Sequence, residues 1–108
     1  MNTKINAKFI YFTIGSFKEA KILSTALVSK ELVACANILG SSTAIYRWNG
    51  EIVEDGEIVV LLKTTQDLAK LVIEKIKELH SYDCPAIVAL NIEDGNRDFL
   101  LWIDENTK

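Results

Sequence analysis

The dipeptide Asn49-Gly50 constrains this chain more than any other feature. A two-residue hairpin needs positive φ at both central positions, and Asn followed by Gly meets that need best. Extended, β-rich sequence flanks the pair. Thr43 to Trp48 leads in and Glu51 to Lys63 leads away, so the chain contains a long antiparallel pair, well beyond the usual strand of about 5–6 residues. Gly40-Ser41-Ser42 and Asp55-Gly56 interrupt it, and both are expected to be bulges. Ile58 to Leu62 is apolar without alternation, so both faces of that strand need cover. Helices of a two-layer domain cover one face only. The expectation is an oligomer in which sheets pair or pack across subunits.

The remaining segments supply the other layer. Phe9 to Ile14 is aromatic and β-branched and suits a buried strand. Gly15 breaks it, and Ser16-Phe17-Lys18-Glu19 follows the capping-box pattern of a helix start. Phe17, Ala20, Leu23, Ala26 and Leu27 recur at helical spacing, and Lys30 and Glu31 close that helix. Leu32 to Ile38 reads as a strand with small residues at its centre. Thr64 to Asp67 offers a second helix cap. Leu68, Leu71, Val72, Ile76 and Leu79 then form a stripe that ends near His80. Ala86 to Ile92 is a last core strand, Asp94-Gly95-Asn96 a turn, and Phe99 to Ile103 a short closing helix. The order is βαββαβ plus a C-terminal helix. That is a ferredoxin-like α+β sandwich with a long central hairpin, in one domain over residues 1–108.

Composition narrows the partners. The chain has 108 residues, 49% hydrophobic and 25% charged, with a formal net charge of −3. Its cationic residues are scattered, whereas nucleic acid and anionic membranes demand a concentrated positive face, so neither is expected as a partner. Nothing approaches the roughly 20 apolar residues of a membrane span. The N-terminal apolar run from Phe9 to Ile14 is too short for a signal peptide and reads as a strand. Two cysteines are too few for a disulfide scaffold, which points to a reducing, cytoplasmic setting.

The stretch ELHSYDCPAI holds the only histidine, His80, the only proline, Pro85, and one of two cysteines, Cys84. It is first a helix end and a strand start. His80 has two readings: a C-terminal helix residue whose cation suits the dipole, or a ligand for copper or zinc. The i to i+4 spacing of His80 and Cys84 would align them on a helix, but Pro85 disfavours helix through Cys84. Cys35 is either a small core residue among Val33, Ala34 and Ala36, or a third donor from elsewhere in the fold or from a neighbouring subunit. A Cys-His nucleophile needs an oxyanion pocket that no flanking residues signal, so no enzyme is expected.

Several segments together resemble the CutA family of divalent-cation tolerance proteins. They are Leu32 to Ile38, Ile45 to Ile52, Glu57, Lys63-Thr64, His80-x-Tyr82-x-x-Pro85 and Trp102-Ile103. The resemblance runs from Lys8 to Ile103. It implies a homotrimer of ferredoxin-like subunits similar to the PII signalling proteins, a link to copper and other divalent metals, no organic cofactor and no established catalysis. On that footing His80, Cys35 and Cys84 are candidate metal ligands. Trp48, Glu57, Lys63 and Tyr82 are candidates for a small-anion pocket between subunits; Lys63 paired with Glu57 at the junction is the plainer account. Three places depart from the family pattern: Ser81 stands where proline is usual, Asp83-Cys84 where an acidic and an aliphatic residue are, and Leu39 to Ser42 where proline and glycine follow in succession. The leading expectation is a trimer that binds divalent metal. The alternatives are a trimeric small-ligand sensor, or an anchoring trimer that presents its hairpins to another protein.

Overall fold

The computed structural model describes residues 6–108. Strand β1 covers Ala7–Ile14, helix α1 Phe17–Ser29, β2 Cys35–Trp48, β3 Glu51–Thr65, α2 Gln66–Leu79, β4 Ile87–Asn91 and α3 Arg97–Glu105. The four strands form one antiparallel sheet in the order β2-β3-β1-β4. This is the expected α+β architecture, with β1 and β3 at its centre.

Alternation along the central strands divides the sheet into two faces. Ile10, Phe12 and Ile14 of β1, with Val60 and Leu62 of β3, turn to one face. There they meet Ala20, Leu23 and Leu27 of α1 and Ala69, Val72 and Ile76 of α2. Each fully buried large apolar side chain contributes about 1.5–3 kcal/mol, so this cluster is the principal source of stability. α3 lies at one end of the opposite face, where Ile103 packs with Ala7 and Ala34. The rest of that face presents Tyr11, Val59, Leu61, Leu39 and Val88, with Leu39 and Val88 about half exposed.

Local chemistry explains the element ends. The Ser16 hydroxyl accepts from the Glu19 amide at 3.1 Å and donates to the Glu19 carboxylate at 3.0 Å, so the cap closes through the hydroxyl at both contacts. Phe17, expected in the buried stripe, is exposed; its ring carries the Lys21 ammonium 5.8 Å from the centroid. β2 begins at Cys35 rather than Leu32. Leu32, Val33 and Ala34 are buried ahead of it, and the Thr64 hydroxyl donates to the Leu32 carbonyl at 2.7 Å. Asn96 caps α3 by accepting from the Asp98 amide at 2.9 Å.

The β2–β3 hairpin turns at Asn49 and Gly50, whose φ values of 50° and 81° are both positive, as the dipeptide demanded. The register shifts once, between Leu39 and Ser41, so the expected bulge at Gly40 is present. The second expected bulge is not. Gly56 pairs regularly with Thr43 and Asp55 with Ala44, because nothing there requires an extra residue or a positive φ. The two glycines of the arm therefore respond oppositely to a methyl group. In urea unfolding, Gly50→Ala costs about 1 kcal/mol. Gly56→Ala, in open space and ordinary extended backbone, is neutral or stabilising by about 0.5 kcal/mol. Phe12→Ala, at a position with 0% exposure, costs about 3–5 kcal/mol.

Candidate functional site

The Gly40 bulge decides which side chains meet. Before it, Cys35, Asn37 and Leu39 share the face opposite α1 and α2. The extra residue reverses the phase, so beyond it Ser42, Ala44, Tyr46 and Trp48 occupy that face, level with Glu57, Asp55, Val53 and Glu51 of β3. The α2–β4 connection passes beside them. Between them lies a cleft of about 580 Å³, walled by Tyr46, Trp48 and Tyr82, floored by Thr13, Ala44 and Ala86, and edged by Asp55, Glu57, Asp83 and Cys84. Its volume suits a small ligand. Its lining holds three carboxylates and one thiol and no cationic side chain.

The phenols and carboxylates are coupled. The Tyr46 hydroxyl donates to Asp55 Oδ2 at 2.5 Å. That bond, with some desolvation and the charges of Asp55 and Glu57, raises the Tyr46 pKa above the ordinary tyrosine value. Tyr82 is raised as well, first by burial and then by the charge and hydrogen bonding of Glu57. Both phenols therefore remain protonated donors throughout the neutral range.

The residues singled out from the sequence fall in three places. Trp48, Glu57, Tyr82 and Cys84 line the cleft, and Cys84 is exposed. Lys63 does not join them. It lies six residues from Glu57 along β3, about 20 Å at 3.3 Å per residue. Its ammonium is buried, donating to Asn37 Oδ1 and lying 5.8 Å from the Phe9 ring centroid. Within one protomer Lys63 and Glu57 are therefore too far apart to pair. The cleft of a single protomer thus holds no lysine or arginine that would attract an anion. Cys35 pairs in register with Lys63 and so lies level with Phe9. His80 instead contacts Thr13, four residues farther along β1 and about 13 Å away at the same rise.

His80 ends α2, and its backbone is already extended, with φ −78° and ψ 144°. The ring is buried. Nε2 lies 2.7 Å from the Thr13 carbonyl oxygen, and Nδ1 accepts from the Tyr82 amide at 3.0 Å. His80 is the helix end that the sequence indicated, and both of its ring nitrogens are already engaged within the protomer. His80, Cys35 and Cys84 do not converge. Among the described residues no three His, Cys, Asp or Glu side chains form a group that would hold a metal ion. Within one protomer, the donor set expected from the sequence therefore does not form a closed metal centre.

Tyr46, Asp55 and Asp83 belong to the cleft although the sequence did not single them out. Carrying the expected Gly40 bulge through the strand phase would have found Tyr46, since it moves even-numbered β2 residues onto the face of Asp55 and Glu57. Asp83 carried no such signal, because its placement depends on how the connection after His80 folds back.

Comparison with known proteins agrees with this architecture. A family model described as CutA1 divalent ion tolerance protein matches residues 8–106. The divalent-cation tolerance protein CutA of Thermus thermophilus is 46% identical over 98 residues, spanning 91% of this chain and 95% of that protein. Protein CutA of Homo sapiens is 34% identical over 104 residues, 96% of this chain but 57% of its own length. The crystal structure of the divalent ion tolerance protein CutA1 from Ehrlichia chaffeensis superposes with a TM-score of 0.92 at 34% identity, covering 98% of this chain and 99% of that one. Shared fold, matched length and identity together show that this chain belongs to the CutA1 family of divalent ion tolerance proteins.

Proposed function

We propose that this chain acts as a homotrimer in divalent-cation tolerance, and that cations, copper among them, are taken at the acidic cleft rather than by a set made of His80 and the cysteines. The observation that carries this reading is the cleft's polar lining: Asp55, Glu57, Asp83 and Cys84, with no side-chain cation to neutralise them. One or two carboxylates can hold a divalent ion that keeps much of its water. The thiol adds affinity for softer ions such as copper. Such a site binds and releases; it does not sequester like a four-ligand zinc centre.

The trimer is supported by the open sheet face. Tyr11, Val59, Leu61, Leu39 and Val88 form an apolar surface there, the last two 48% and 49% exposed. The edge strands β2 and β4 also carry unpaired backbone groups beyond it. The β2–β3 arm, which gives the protomer its 54 Å long dimension, is long enough to reach a neighbour. We infer action by binding and not by catalysis, since both His80 nitrogens are engaged and leave no free imidazole to activate a thiol. Both cysteines are free, which supports a reducing, cytoplasmic setting.

Two measurements check this reading. Calorimetric titration of zinc and copper(II) into reduced protein is expected to give dissociation constants of about 1 μM or weaker, on the order of −8 kcal/mol. Combined Glu57→Gln and Asp83→Asn should weaken both ions at least about tenfold, or ~1.4 kcal/mol, while Cys84→Ser weakens copper more than zinc. Binding unchanged in the carboxylate variants would rule the cleft out. Light scattering should give three protomer masses, with Val88→Glu shifting the protein toward monomer by charging the packed face; a wild-type monomer would refute the trimer.

A further inference from the structure

We propose that His80 is the positioning residue of the cleft, a strut that holds Tyr82 in place, and not a metal ligand. The hydrogen bonds assign its tautomer. A carbonyl oxygen only accepts, so Nε2 carries the proton that it donates to Thr13. A backbone amide only donates, so Nδ1 is bare and its lone pair is taken by Tyr82. The ring thus ties the end of β1 to the α2–β4 connection by two bonds in a buried setting. No lone pair is left for a cation. Coordination would require the ring to abandon one of these bonds and leave its packing against the Phe12 edge, 6.3 Å between centroids.

What the strut holds is one wall of the cleft. The Tyr82 ring lies against the imidazole, 4.7 Å between centroids and tilted by 58°. Its hydroxyl end approaches Gly15, where an added Cβ would stand 3.4 Å from the phenolic oxygen. His80 from below and Gly15 from the side therefore place the phenol beside Glu57. The Tyr82 amide bond to Nδ1 spans two residues, the same closure an Asn side chain makes in an Asx turn. His80 is accordingly a ring-sized version of that turn with a second anchor on β1. This assignment rests on the cleft being the ligand site, since only then does the placement of Tyr82 set affinity.

The chemistry supplies a test that separates strut from ligand. Asn reproduces the Nδ1 acceptor, whereas Gln reproduces the Nε2 donor and cannot close the two-residue turn. Zinc is the probe, with the full chain labelled in 15N. The wild-type imidazole is expected to show one protonated and one bare nitrogen, with neither resonance moving on zinc addition while amides of Asp83 and Glu57 do. His80→Asn should keep the Tyr82 amide resonance near its wild-type position and hold zinc affinity within about threefold. His80→Gln and His80→Ala should each lose about tenfold, the usual consequence of one lost buried hydrogen bond. Imidazole nitrogens that shift with zinc, or His80→Asn as impaired as His80→Ala, would overturn the proposal. If zinc moves no resonance at all, the cleft reading fails. The tautomer and the Tyr82 amide position in the Asn and Gln variants then still decide the strut, and neither measurement needs the Ala variant to fold.

Discussion

The long β2–β3 ladder, closed at Asn49-Gly50 and phase-shifted once at Gly40, is the constraint on which the rest depends. The turn sets the register, and the register sets which side chains share a face. Without the bulge, Ile45 and Arg47 would occupy the positions now held by Tyr46 and Trp48, and the carboxylates of β3 would face an aliphatic and a cationic side chain. One inserted glycine therefore separates an acidic, aromatic cleft from a surface of mixed charge. β1 depends on the same ladder, since β3 pairs along its whole length and carries Thr13 to the cleft floor.

Much of the fold was legible from local rules. Asn49-Gly50 and the Ser16 cap each act over a few residues and appear where turn chemistry predicted, whereas of the expected α2 stripe Val72 and Ile76 are buried but Leu71 and Leu79 are exposed. What local rules did not supply is distance within the fold. Lys63 and Glu57 lie on one face of one strand, yet about 20 Å apart at the strand rise. Within the protomer Lys63 is buried beside Asn37 and Phe9. Cys35 and His80 belong to different levels of the sheet. Asp55-Gly56 looked like a break because glycine is uncommon inside strands, but the ladder runs through it unaltered.

The candidate site was half legible for the same reason. Trp48, Glu57, Tyr82 and Cys84 were singled out and do meet. The meaning of His80 was not, because a histidine's role depends on what its two nitrogens touch, and both partners are backbone groups that sequence does not display. Backbone partners also explain how one buried histidine can organise a site without contacting its ligand. It converts the helix end into a fixed loop, and the loop presents Tyr82, Asp83 and Cys84 to the cleft.

The most direct test of this account is anomalous diffraction from crystals of the reduced protein soaked in zinc or copper. The account predicts a metal peak in the cleft, among Glu57, Asp83 and Cys84, with the His80 ring still bonded to Thr13 and Tyr82. A peak on a His80 nitrogen, with the ring turned away from either partner, would contradict it.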